Sequence, residues 1–217
     1  MKLNLLKPII ALFVILTSCA PKQEPIELFN GKDLSNWNLF IAEDSTVTAA
    51  DIFTVKDGVI DIKGNPFGYM YTKETYDNFD LHVEWRWSDG VGTNSGIFLF
   101  IQEPAKIWPN AVECQLHKGD AGDFVLLGGS DLAEFKLKEG ETRPEFPVVQ
   151  KKSESSELAV GEWNQADITC KDGNITVKIN GKLQNNGSKP MFKSGHIGLQ
   201  SEGGPIQFRN VKLTPIK

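Results

Sequence analysis

From residue 53 to the C-terminus, apolar and polar residues alternate in short runs punctuated by Gly, Asp, Asn and Pro. A period of two is the signature of strands with one face in a core. Phe53–Lys56, then Asp57-Gly58, then Val59–Ile62 predict a hairpin, because Asp-Gly supplies the positive φ angles of a tight turn. Phe79–Trp87 predicts a long strand with Leu81, Val83, Trp85 and Trp87 on one face and His82, Glu84 and Arg86 on the other. Residues 95–102 are nearly all apolar, as expected of a strand covered on both faces. Residues 111–117 alternate again, with Val112, Cys114 and Leu116 against Glu113, Gln115 and His117, and Phe124–Leu127 is short and apolar. Residues 166–170 and 175–179, followed by Asn180-Gly181, predict a second hairpin region; residues 195–200 and 206–213 close the chain. Residues 139–160, rich in Lys, Ser and Glu, read as a long surface excursion, and no stretch of a dozen residues beyond the N-terminal segment keeps a helical period. The pattern predicts an all-β protein, a two-sheet antiparallel β-sandwich.

Composition narrows the function. The chain has 217 residues, enough for a single domain with a substantial core. Its 23 Lys and Arg against 28 Asp and Glu give a net charge of −5 with no basic stripe, which argues against a nucleic-acid partner. The N-terminus is different. Lys2 and Lys7 precede an apolar run over residues 9–16 that is too short to span a bilayer, where about 20 residues are needed. It ends in Leu16-Thr17-Ser18-Cys19, which resembles the lipobox of bacterial lipoproteins; the alternative is an ordinary signal peptide. The expectation is a signal peptide over 1–18, lipidation at Cys19, a tether over 19–25 and one domain over 26–217. The protein would then be lipid-anchored in the bacterial cell envelope, at the periplasmic or outer-membrane face. Cys114 and Cys170 lie on apolar strand faces, as buried thiols or as a disulfide.

Three polar rows stand on predicted strands. Glu113, Gln115 and His117 alternate, roughly 6.5–7 Å apart from one to the next. Carboxylate and amide can pair with sugar hydroxyls and imidazole can pass a proton near neutral pH, while nearby Trp108 supplies an aromatic platform. The bland alternative is a solvated strand face. His82, Glu84 and Arg86 form a second row, either an intrastrand ion pair or a ligand contact. His196 and Gln200 share a face across Gly198 in the third, and a glycine there lets a ligand or another side chain approach the backbone. Asn94-Ser95-Gly96 reads as turn chemistry or as a hydroxyl-binding group. Asp120, Asp123 and Asp131 lack an EF-hand spacing. Gly-x-Ser-x-Gly and Gly-x-Gly-x-x-Gly are absent, which removes support for a serine hydrolase elbow and a dinucleotide site.

The order of these motifs is informative. Residues 28–37 (Leu-Phe-Asn-Gly-Lys-Asp-Leu-Ser-Asn-Trp), Glu84-Trp85-Arg86, Asn94-Ser95-Gly96-Ile97, Glu113-Cys114-Gln115, Gly161-Glu162-Trp163-Asn164, residues 195–200 and Phe208-Arg209-Asn210 together resemble the landmarks of the 3-keto-disaccharide hydrolase family. The resemblance spans about residues 26–215. It implies a concanavalin A-like lectin/glucanase jelly roll, a carbohydrate substrate, and cleavage of glycosides whose glucose is oxidised to a ketone at carbon 3. The ketone acidifies the carbon-2 proton, so a base can form an enolate and the aglycone can leave from carbon 1, with water adding afterwards. Under this resemblance Glu113 is the acid/base and His117 its proton partner. Glu84, Arg86, Asn94, Gln115, Trp108, His196 and Gln200 contact the substrate. A divalent metal ion is an optional aid to the enolate oxygen, with no ligand set indicated. The competing expectation is a non-catalytic carbohydrate-binding module on the same scaffold.

Overall fold

A computed structural model describes residues 23–43, 46–88 and 90–217. The signal peptide, Cys19 and most of the tether lie outside the described residues. Among those residues, no helix is long and apolar enough to cross a membrane.

The strands in chain order are β1 Ile26–Glu27, β2 Trp37–Ile41, β3 Phe53–Lys56, β4 Val59–Ile62, β5 Gly68–Thr72, β6 Phe79–Trp87, β7 Gly96–Gln102 and β8 Asn110–Gln115. They continue with β9 Phe124–Leu127, β10 Val148–Val149, β11 Asn164–Lys171, β12 Asn174–Ile179, β13 Lys182–Ser188, β14 His196–Ser201 and β15 Ile206–Pro215. One short helix, α1, covers Ala49–Ile52. An eight-stranded sheet runs β13-β12-β11-β6-β15-β4-β3, with β1 added on β15; a seven-stranded sheet runs β10-β9-β8-β7-β14-β5-β2. All strand pairs are antiparallel. The expected two-sheet sandwich is the fold.

Alternation decides what lies between the sheets. Leu81, Val83 and Trp85 of β6 and Phe208 of β15 join Ile97, Leu99, Val112, Cys114, Ile197 and Leu199 of the other sheet in one buried core. Asp57-Gly58 and Asn180-Gly181 adopt paired positive φ angles, 51° with 75° and 50° with 77°, and each closes a two-residue hairpin. Both Cys114 and Cys170 are buried free thiols, so the bridge does not form.

Several strands were not foreseeable from period two. β5 is buried on both faces and shows no alternation, and β13 reads as polar. Its buried Asn185 is held by Nδ2 hydrogen bonds to the carbonyls of Gly122 and Val149, so surrounding loops replace the solvent that its amide would otherwise need. The 139–160 excursion returns to the sheet as β10, which pairs with β9.

The seven-stranded sheet carries a second apolar layer on its outer face. Tyr69, Phe98, Ile101, Ala111, Val125 and Leu127 form it, with Phe40, Tyr71 and Trp108 packed against it. A sheet face turned from the core is normally polar, so this buried bed is the feature that positions the site.

Candidate active site

Glu113 stands on that face. It pairs with Phe98 across β7 and β8 and is only 2% exposed. Its carboxyl occupies space that a side chain at residue 96 would fill: a Cβ on Gly96 would lie 2.7 Å from both Cγ and Cδ of Glu113. Gly96 is therefore the seat of the carboxyl. Gly96→Ala should displace Glu113 and cost about 1–3 kcal/mol through overpacking, measured by denaturant unfolding.

The carboxyl faces a hollow of about 220 Å3, near the size of one sugar ring and below the roughly 300–1,000 Å3 usual for drug-sized ligands. Asn94, Glu113, Gln115 and Glu202 supply its polar lining. Trp108, Val125, Leu127, Phe146 and Val148 supply its apolar walls, and the Trp108 ring meets Phe146 edge-on at 5.4 Å. Burial, reinforced by the neighbouring Glu202 charge, pushes Glu113 well above the usual carboxylate range and so favours its protonated form. Burial also raises Glu202, but less completely, because hydrogen bonds from Gln200 and Asn94 favour its charged form. The Gln200 Nε2–Glu202 Oε2 distance is 2.7 Å. The two carboxyl groups thus differ in proton affinity by environment, which separates an acid from a base.

The remaining polar groups are aimed by local bonds. The Gln115 Oε1 accepts from the backbone N–H groups of Leu116 and His117, both at 3.0 Å, leaving its Nε2 hydrogens for the hollow. Ser95 donates through Oγ to the Gln200 carbonyl at 2.8 Å, tying the Asn94-Ser95-Gly96 turn to β14. Glu113 Oε1, Asn94 Oδ1 and Gln200 Oε1 are buried acceptors with no hydrogen-bond partner among the described residues. Such atoms are costly unless a ligand or water donates to them.

The sequence-predicted residues divide into three groups. Glu113, Gln115, Asn94 and Trp108 line the hollow, and Gln200 holds Glu202 from behind it. His117 breaks the expected row. β8 ends at Gln115, whose side chain caps the next two N–H groups, and the half-exposed imidazole turns to donate through Nδ1 to Asp120 at 3.0 Å. Its influence on Glu202 is electrostatic. His196 sits four residues before Gln200 on β14, roughly 13 Å along the strand. It donates through Nδ1 to the Thr72 carbonyl and abuts the Tyr71 ring edge-on, away from the hollow's lining.

Glu84 and Arg86 are set apart altogether. They belong to β6 in the other sheet, on its outer face, where Glu84 pairs with Arg209 at 2.6 Å and Asn210 at 2.7 Å. Arg86 bonds Gln207 and shares the Trp163 ring with Arg209, at 4.6 and 4.0 Å from its centroid. This row is an ion-pair and cation–π ladder on a strand, on the opposite sheet from the Glu113 hollow.

The residue that sequence reading missed is Glu202. It continues the alternation His196, Gly198, Gln200 by one step, so extending the third row past Gln200 would have found it.

No group of three or more His, Cys, Asp or Glu side chains among the described residues is arranged to hold a metal ion. The hollow offers two carboxyl groups whose burial disfavours the charged form that a divalent cation needs, a poor donor set. In the Asp-rich loop, Lys151 bonds Asp120 at 3.0 Å and lies 3.9 Å from Asp123, while Arg143 faces Asp131. Cationic side chains already hold these carboxylates.

Comparison with known proteins agrees with the fold. A β-glucanase from Bacillus licheniformis superposes with a TM-score of 0.58 at 12% identity, covering 91% of this chain and 99% of its own. The carbohydrate binding module CBM66 from Bacillus subtilis gives 0.57 at 13%, covering 82% and 95%. A candidate glycosyl hydrolase from Parabacteroides distasonis gives 0.63 at 22%, covering 89% and 94%. These likenesses define a concanavalin A-like jelly roll of the kind used by glucanases and carbohydrate-binding modules. A search of curated protein sequences finds no match. The profile of the 3-keto-alpha-glucoside-1,2-lyase-like domain matches residues 24–214, and the chain belongs to that family, as its motifs implied.

Proposed function

We propose that the protein cleaves glycosides bearing a ketone at carbon 3 of glucose, by elimination across carbons 1 and 2. The observation that carries this reading is the pair of buried, unpartnered acceptor oxygens, of Glu113 and Asn94, on a ring-sized, aromatic-walled hollow that also holds two carboxyl groups of unequal proton affinity. Sugar hydroxyls are the donors such oxygens need.

In this reading the Glu202 carboxylate takes the carbon-2 proton. The C–H electron pair forms the carbon 2–carbon 3 double bond and the ketone becomes an enolate, whose oxygen the Gln115 Nε2 is available to meet. As the carbon-3 carbonyl re-forms, the carbon 1–carbon 2 double bond forms and the bond from carbon 1 to the aglycone oxygen breaks. Protonated Glu113 gives its proton to that oxygen. Water then adds across the new double bond to yield the free 3-keto sugar. An ordinary glycosidase instead needs carboxyl groups on both sides of an oxocarbenium-like centre. The location expected from residues 1–25, exported and lipid-tethered, belongs to the same proposal.

The direct test incubates the soluble domain with 3-keto-trehalose and with trehalose. Glucose release from the oxidised sugar alone is expected; release from neither overturns the assignment and leaves the carbohydrate-binding module. The electrostatics are open to a separate check. Glu202→Gln removes the like charge that raises Glu113, so the carboxyl 13C signal of Glu113 should titrate at lower pH than in the wild type.

A further inference from the structure

A second hollow, of about 280 Å3, shares Trp108 with the first. Asn110 lines it at the start of β8, three residues and so roughly 10 Å along the strand from Glu113. Leu127 lines the first hollow and Gly128 the second, so the two are neighbours.

The second hollow is built rather than incidental. Phe100 has φ 59°, a conformation that bulky residues seldom adopt, at a bulge in β7. The bulge sends Phe100 into the core and Ile101 onto the outer face. The Gln102 Nε2 donates to the carbonyls of Phe100 at 2.9 Å and Ser194 at 2.7 Å. The Asn110 Nδ2 donates to the Gly128 carbonyl at 3.1 Å and to Met191 Sδ at 3.6 Å. These two amides pin the segment that carries Met191 and Phe192, which remain 53% and 42% exposed beside the hollow.

Bond accounting distinguishes the two hollows. In the first, acceptor oxygens lack partners; in the second, both amides have spent their N–H groups on the protein itself. Lys106 and Glu103 also line it, but they face each other at 3.7 Å and are largely exposed, whereas an apolar ring would find Met191, Phe192 and Trp108. We propose that this hollow receives the leaving group of the glycoside and selects an apolar, aromatic aglycone over a second sugar. The inference rests on the elimination reading above.

The test compares benzyl and methyl 3-keto-α-glucosides, whose leaving groups are of similar basicity, together with 3-keto-trehalose. In the wild type, kcat/KM should favour the benzyl glycoside by about tenfold over the methyl one, carried mainly by KM. The double variant Met191→Ser/Phe192→Ser should lose that preference, kcat/KM for the benzyl glycoside falling to that for the methyl one. Equal turnover of the two glucosides by the wild type, a preference that survives in the double variant, or a preference for 3-keto-trehalose over the benzyl glycoside overturns the inference alone. Turnover of none of the three oxidised glycosides overturns the elimination reading and this inference with it.

Discussion

Glu113→Gln should lower turnover of a 3-keto-glycoside by about a thousandfold, within the range expected for loss of a positioned acid, while the domain stays folded. Burial favours the protonated form of the native carboxyl, and an amide of the same shape fits the seat left by Gly96. Activity is lost because the amide has no proton to give the leaving oxygen. The same variant has a second signature, in stability. In the folded protein the carboxyl holds its proton well above the usual value of 4.5, whereas the unfolded chain releases it near that value. Between the two the folded state binds more protons, so this contribution to stability is complete below pH 4.5 and is lost as pH rises through the folded value. Glutamine does not titrate. Relative to the wild type, Glu113→Gln should therefore gain stability as pH rises from the usual carboxylate value toward the folded one, read by denaturant unfolding. Wild-type turnover, or a stability difference that ignores pH, would remove Glu113 from the acid role.

What the sequence discloses follows from what period two can say. It identifies residues sharing a face, so β3, β4, β6 and β9 agree with expectation to the residue, and the Asp57-Gly58 hairpin follows from turn chemistry. It does not say which of a sandwich's two outer faces a polar row occupies. The rows beginning at His82 and at Glu113 look alike in sequence, yet one lies on each sheet, and only the second stands on an apolar bed. Nor does alternation report where a strand stops. His117 keeps the parity of Glu113 and Gln115, but a side-chain cap closes the strand before it. Phe146 and Val148 were hidden for a different reason: they come from an irregular excursion whose return to the sheet depends on pairing with β9, a contact that no local pattern encodes. Glu84 and Arg86 belong to a motif that resembles the family's and still lie on the other sheet from the hollow, which no local pattern discloses.

The apolar bed beneath Glu113 gives the second large effect. Phe98 is fully buried, lies directly across from Glu113 and packs its ring 5.5 Å from that of Tyr69. Phe98→Ala should cost about 3–5 kcal/mol, a fall in Tm of roughly 10 °C for a domain of this size. Its consequence for the chemistry is more specific. Burial is the first cause of Glu113's raised proton affinity, and the cavity left by the ring adjoins a carboxyl oxygen without a partner, so water can enter and be held. Hydration favours the carboxylate, and the alkaline limb of the pH–rate profile should move to lower pH. Leu99→Ala is the matched control, on the next residue of β7 but on the core side. It should also destabilise by a few kcal/mol, without moving the pH profile. A shift common to both variants would trace the effect to loosened packing in general; a shift confined to Phe98→Ala ties the acid's proton affinity to the aromatic layer on the outer face, and so explains why a sheet surface that would ordinarily be polar is buried hydrocarbon in this protein.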